Sequence, residues 1–285
     1  MTTTELPWRD AILSGFRLVI GRPAAALSWA LVFVLGGTVM AGFQVWAWQA
    51  LDAELGLSTV AARLGFSGVI LGVLMTTVTC AAILRAAVRP DDRHAAWPRF
   101  GGDELRLLAF VPPLVLVSAM IPAMIAALSY PLLAERVAYP FFVTCTTRVA
   151  AVALTLAGAR LALAAPMTVA DRRLRLGSAL ALSHGRHGRL AAILVAALLL
   201  SMAIEGAGSW ICGALAEAMG GARPPVLKSA SLPAALSAAF GPVAMAFRGL
   251  GAIFHALALA VQVAPMGYAY RRLKGDPIDP GAAFD

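Results

Sequence analysis

The sequence predicts an all-α, polytopic integral membrane protein with six transmembrane helices in three hairpin repeats, each hairpin preceded by an amphipathic helix on the cytoplasmic face. Three observations carry that prediction. Of 285 residues, 60% are hydrophobic and 13% charged, against about 25% charged in an ordinary soluble domain. The mean hydropathy is +0.80, which a water-soluble surface does not sustain. Lys and Arg gather at the ends of long apolar runs, where a bilayer tolerates them.

At the start, Trp8, Ile12, Phe16, Val19 and Ile20 recur at helical spacing, with Arg9, Asp10, Arg17 and Arg22 between them. This pattern predicts an amphipathic helix in the headgroup plane. Acidic residues and the lack of a small-residue cleavage site after an apolar run predict that the segment is retained.

Crossing about 30 Å of hydrocarbon takes about 20 apolar residues. Six runs qualify, over about 24–48, 64–84, 107–128, 141–164, 190–212 and 245–268. Trp46 and Trp48 mark the far interface of the first run. Pro112, Pro113 and Pro122 interrupt the third and break backbone hydrogen bonds that hydrocarbon cannot replace.

Orientation follows from the loops. Arg9, Arg17 and Arg22 precede the first run, and Arg85, Arg89, Arg93, Arg99 and Arg106 follow the second. Arg172, Arg173, Arg175, Arg186 and Arg189 follow the fourth, and Arg271, Arg272 and Lys274 the sixth. The opposite loops offer Arg63, Arg136, Arg223 and Lys228. Positive residues stay inside, so both termini are expected in the cytoplasm and the protein in a bacterial inner membrane.

An internal repeat reinforces the layout. APMTVADRRL at 165–174 recurs as APMGYAYRRL at 264–273, each at a predicted cytoplasmic exit, and GRPAAAL at 21–27 is echoed by GRLAAIL at 188–194. One membrane domain over 1–285 is expected, with repeat units of about 6–100, 101–171 and 172–274 and a cytoplasmic tail over 275–285.

The net charge of +8 forms no basic groove with interleaved aromatics, which argues against nucleic acid as a partner. Anionic lipid headgroups are the expected partner, with Arg172, Arg173, Arg271 and Arg272 as the candidate contacts. The spans hold few charges. Arg148 and Arg160, about 18 Å apart on one helix at the helical rise, are expected to reach the two interfaces as anchors, as are the pairs Arg63 and Arg85, and Arg248 and Arg271. Glu205 lies too deep to reach water and is expected to pair with a cation, for which Arg148 and Arg248 stand at similar depth. His255 is expected to bond a backbone carbonyl. Together Glu205, Arg148, Arg248 and His255 form the candidate intramembrane polar site.

Other signals are weaker. Asp91 and Asp92, and the pair His184 and His187, lack further ligands at metal spacing. Asp103 and Glu104 are expected to offset a helix dipole. Cys80, Cys145 and Cys212 each lie within an apolar run. No nucleophile elbow or phosphate loop is present, so neither a catalytic residue nor a cofactor or metal is expected.

The segment RLALAAPMTVADRRLRLGSALALSHGRHGRL at 160–190 runs from a span through a proline into a basic helix, and a Gly-Arg step opens the next span. It resembles bacterial six-span proteins similar to the membrane domain of glycerophosphoryl diester phosphodiesterases. The resemblance implies a membrane module without catalytic residues, since phosphodiester cleavage in that group belongs to a separate soluble domain. The expected function is therefore a non-enzymatic module that contacts anionic lipid or assists membrane and envelope processes. The alternative is a small-solute or lipid transporter using the polar site.

Overall fold

In a computed structural model the chain is described over residues 7–50, 57–92, 94–109, 139–219 and 232–275. Every regular element among the described residues is a helix: α1 (Trp8–Gly21), α2 (Pro23–Ala50), α3 (Leu57–Val88), α4 (Gly102–Leu107), α5 (Tyr139–Gly158), α6 (Ala164–Asp171), α7 (Leu176–Ser183), α8 (His187–Ala218), α9 (Leu232–Phe240) and α10 (Pro242–Lys274). Four stretches among them are long and apolar enough to cross a membrane: Pro23–Trp46, Gly68–Val88, His187–Ala218 and Leu232–Lys274. Such runs become helices because only a helix satisfies every backbone group within its own segment when no water is at hand.

The last helix is the hub, packing against α1, α2, α3, α6 and α8. Helices α2 and α3 run antiparallel, with Gly36 against Met75 and Gly68 against Met40. Leu27, Leu31, Leu35, Val39 and Phe43 repeat every four residues along α2 and are all exposed, whereas Ala25, Trp29, Ala30, Ala41 and Val45 of the same helix are buried. A stripe of bare apolar side chains suits lipid and does not suit water.

The amphipathic start is helical, and it docks on the bundle through a side made of small residues. Ala11, Ser14, Gly15 and Leu18 are the buried residues of α1, while Trp8 and Ile20 are exposed. Gly15 explains the choice. A β-carbon there would lie 2.5 Å from Val261 Cα and 2.7 Å from the Ala260 carbonyl oxygen. Small residues let two helices meet backbone to backbone, and this contact sets how α1 docks on α10.

The third predicted span, with Pro112, Pro113 and Pro122, lies outside the described residues beyond Ala109, as do Arg93, Arg136, Arg223, Lys228 and the side chains of Trp48 and Arg63. The fourth differs from expectation. Helix α5 stops at Gly158, a turn covers 159–163, and α6 follows. Ala159 and Leu163 are fully buried in that turn, Ala159 against Ala191 and Leu194 of α8. Arg160 therefore sits in an exposed turn rather than one helix with Arg148, and the 18 Å separation along a single axis does not hold.

The repeated decapeptides share a start and part at the end. In the second copy the helix continues through Pro265 to Lys274, held by Tyr270, which is buried with Ala269 against Met167 of the first copy and Leu163 and Ala164 just before it. At the position of Tyr270 the first copy has Asp171, which pairs with Arg175 at 3.4 Å. There the helix ends on Arg172 in the left-handed region, φ 54, a conformation that costs a side-chain-bearing residue about 1–2 kcal/mol.

Candidate functional site

Three ionisable side chains from three helices meet near mid-bundle. Arg148 lies halfway along α5, Glu205 just past the middle of α8, and His255 just before the middle of α10. Glu205 is the centre. Its Oε2 accepts from Arg148 Nη1 at 3.4 Å, and its Oε1 is 3.1 Å from His255 Nδ1. The edge of the His255 ring meets Phe33 of α2 at right angles, with centroids 4.5 Å apart.

Close packing of α8 on α10 fixes this meeting. One turn beyond Glu205, a β-carbon at Gly208 would lie 2.5 Å from the Phe254 ring. The bare Gly208 lets Phe254 seat against α8, and its neighbour His255 thereby comes within reach of the carboxylate.

The three side chains keep 43% (Arg148), 35% (Glu205) and 46% (His255) of their surface open. A charged side chain at the centre of a bilayer costs about 2.5–3.5 kcal/mol on insertion scales, a cost that pairing Arg148 with Glu205 reduces. Arg148 and Glu205 cancel in charge. The net charge of the cluster is then set by His255, zero when neutral and +1 when protonated. Such a cluster can hold and release one proton, or hold an anion when protonated.

Of the four residues grouped from the sequence, the structure joins three and separates Arg248. Its Nη2 donates to the Ala239 carbonyl at 3.0 Å, and its Nη1 reaches Met245 Sδ at 3.1 Å and Thr38 Oγ1 at 3.4 Å. Glu205 takes His255 in its place, and His255 bonds a carboxylate rather than the expected carbonyl.

At the other end of the bundle the basic residues collect. Leu163, Ala164 and Met167 of α6, Ala179 of α7, Leu190 of α8 and Ala269 and Tyr270 of α10 form one buried cluster. Their flanking arginines consequently share that end. Arg172 and Arg173 are exposed, while Arg271 and Arg272 are partly exposed. Arg272 is 3.4 Å from Tyr268 Oη and lies over the Tyr268 ring.

The same end holds a buried ion pair that the sequence reading missed. Arg85 and Glu104 are 0% and 1% exposed and are hydrogen-bonded through Nη1 and Oε1, with Asp103 Oδ2 at 3.9 Å from the same nitrogen. Arg85 Nε donates to Ala95 O at 3.1 Å and its Nη2 to Trp97 O at 3.2 Å, while Trp29 Nε1 donates to Ala96 O at 2.7 Å. These bonds pin the loop between α3 and α4 onto the bundle. Arg22 adds a bond to the Pro90 carbonyl, and Arg89 Nη2 donates to Val169 O at 2.6 Å.

One expectation changes accordingly: Arg85 is sealed inside rather than an interface anchor. Asp103 and Glu104 lie in the first turn of α4 as expected and in addition pair with Arg85 and Arg106. A basic residue at the end of a span, followed after a short loop by an acidic pair, was the available signal.

Among the described residues no three His, Cys, Asp or Glu gather as metal ligands, and Cys80, Cys145 and Cys212 are free thiols. Comparison with protein-family models, curated proteins and solved structures finds no match to the chain.

Proposed function

We propose that this chain is a non-enzymatic module of a bacterial inner membrane, crossing it six times in three hairpins with both termini in the cytoplasm. Its basic end contacts anionic lipid headgroups in support of membrane or envelope processes. One observation carries the reading. The two copies of the Arg-Arg-Leu exit come together through a shared apolar cluster, which gathers Arg172, Arg173, Arg271 and Arg272 at one end. None of those four has a carboxylate partner among the described residues. The resemblance to the membrane domain of glycerophosphoryl diester phosphodiesterases points the same way.

The test is lipid retention. Each basic residue near an anionic surface contributes about 1 kcal/mol at low salt. The quadruple change Arg172→Gln, Arg173→Gln, Arg271→Gln and Arg272→Gln should therefore cut phosphatidylglycerol co-purification by at least about tenfold and flatten its salt dependence. Retention equal to that of the unaltered protein would leave the reading without support.

A second reading, transport of a small solute or lipid, is favoured by the Arg148, Glu205 and His255 cluster. Ionisable groups within a membrane span mark substrate or proton paths as well as structural pairs. Loss of flux on Glu205→Gln is its test.

A further inference from the structure

Several arginines of the bundle pair with a carboxylate, whereas Arg248, like Arg22 and Arg89 at the basic end, hydrogen-bonds only neutral groups. Arg17 has Asp10, Arg85 has Glu104, Arg106 has Asp103, Arg148 has Glu205 and Arg175 has Asp171. Arg248 has the Ala239 carbonyl, the Met245 thioether and the Thr38 hydroxyl, all neutral, and no carboxylate among the described residues reaches it. Its seat is nonetheless shaped. A β-carbon at Gly37 would lie 3.1 Å from Arg248 Cδ, so the bare α2 backbone makes the slot through which the side chain passes. Thr38 spends its own proton on Val34 O at 2.7 Å and offers Arg248 only its oxygen. The hydroxyl thus orients the guanidinium and stays unavailable to a ligand.

Space lies beside it. β-carbons at Gly249 and Gly251 would meet nothing within 4 Å, and Arg248, Gly251 and His255 fall on one face of α10 by their spacing. Arg248 is seven residues from His255, about 10 Å along the axis. With His255 near the centre of a core of about 30 Å, the guanidinium comes within side-chain reach of the boundary between acyl chains and headgroups, at the end opposite the basic cluster. A partly buried guanidinium there, with no carboxylate partner among the described residues, calls for an anion.

We infer that Arg248 seats a phosphate group, carried by a lipid headgroup of that leaflet or free in solution. A guanidinium has five N–H donors in a planar fork that matches two phosphate oxygens, and its neutral contacts leave donors to spare. The open space at Gly251, on the face of α10 that carries Arg248, is where the phosphate and the first part of its glycerol fit. The inference rests on the chain spanning a membrane, and it is independent of whether the opposite end binds lipid or the central cluster moves a solute.

The experiment reads the thermal shift of the full-length protein in neutral detergent on titration with phosphatidylglycerol, diacylglycerol or inorganic phosphate. Phosphatidylglycerol should raise Tm and phosphate-free diacylglycerol should not. Arg248→Gln should weaken the apparent affinity at least about tenfold and Arg248→Lys several-fold, whereas the quadruple basic-end variant retains this component. Gly251→Leu, which leaves the guanidinium intact and fills open space, should weaken it as well and covers the case in which Arg248→Gln does not fold. A shift with inorganic phosphate at similar concentration assigns the site to the free ion, and a shift with the lipid alone assigns it to the headgroup. Equal responses of the unaltered protein, Arg248→Lys and Gly251→Leu overturn the inference.

Discussion

Changing Glu104 to Ala is expected to destabilise the protein by about 3–5 kcal/mol, the usual result of stripping one partner from a buried ion pair. The cause is what remains rather than what is lost. Arg85 has no exposed surface, and its Nε and Nη2 are committed to the carbonyls of Ala95 and Trp97. Without Glu104 it retains Asp103 at 3.9 Å, a carboxylate already bonded by Arg106 at 3.1 Å. The loop that receives these bonds should lift from the end of the bundle, taking with it the acceptor of the Trp29 indole. Trypsin should then cut within the loop at Arg89 or Arg99 many times faster, and Tm in detergent should fall by several degrees. The double change Arg85→Met with Glu104→Leu should recover only part of the loss, because it removes the stranded charge but also the bonds to the Ala95 and Trp97 carbonyls that hold the loop. A Glu104→Ala protein within about 1 kcal/mol of the original would contradict the account of the loop.

Glu205→Gln should separate structure from activity in the central cluster. The amide keeps the shape of the carboxylate and can still bond both His255 and Arg148, so the helices should stay together. Its charge is gone, however, and Arg148 is left without a counter-charge near mid-membrane. The cluster then carries +1 even with His255 neutral, and taking up a proton would raise it to +2. If the cluster serves proton-coupled passage, proteoliposomes carrying this variant should lose proton flux by about tenfold or more, while α-helix content and the yield of folded protein hold. Adding Arg148→Gln should restore the charge balance without restoring flux. Flux unchanged in Glu205→Gln would remove the transport reading and leave the three side chains as a structural tie between α5, α8 and α10.

What was legible in the sequence was mostly depth, and what was not was rotation. Apolar runs fix how far along a helix a residue lies, so Glu205 could be set at a level similar to those of Arg148 and Arg248. Which way each side chain faces depends on how helices turn against one another, and so Arg248 was grouped with Glu205 although it lies in a slot over Gly37. The first helix shows a second limit. Its bulky apolar residues dominate the periodic signal, yet the buried face is Ala11, Ser14, Gly15 and Leu18, because backbone approach depends on smallness and hydropathy barely registers it. Long-range ion pairs form the third. Arg85 and Glu104 are separated by a loop whose fold is set by the bonds it makes to Arg85, and no periodicity announces that. The break at Gly158 belongs with these, since burial of Ala159 and Leu163 against neighbouring helices overrides an apolar run that alone reads as one span.

The most direct test of the central claim, that this chain is immersed in lipid with its basic end in the cytoplasm, is cysteine labelling in whole cells. In a background with Cys80, Cys145 and Cys212 changed to Ala, single cysteines at Trp97, Arg173, Leu31 and Leu232 would be exposed to a membrane-impermeant maleimide before and after the cells are opened. The account predicts that Leu232→Cys reacts in intact cells, that Trp97→Cys and Arg173→Cys react only after opening, and that Leu31→Cys reacts in neither. Labelling of Trp97→Cys in intact cells would reverse the orientation, and ready labelling of Leu31→Cys would place water where the account places acyl chains.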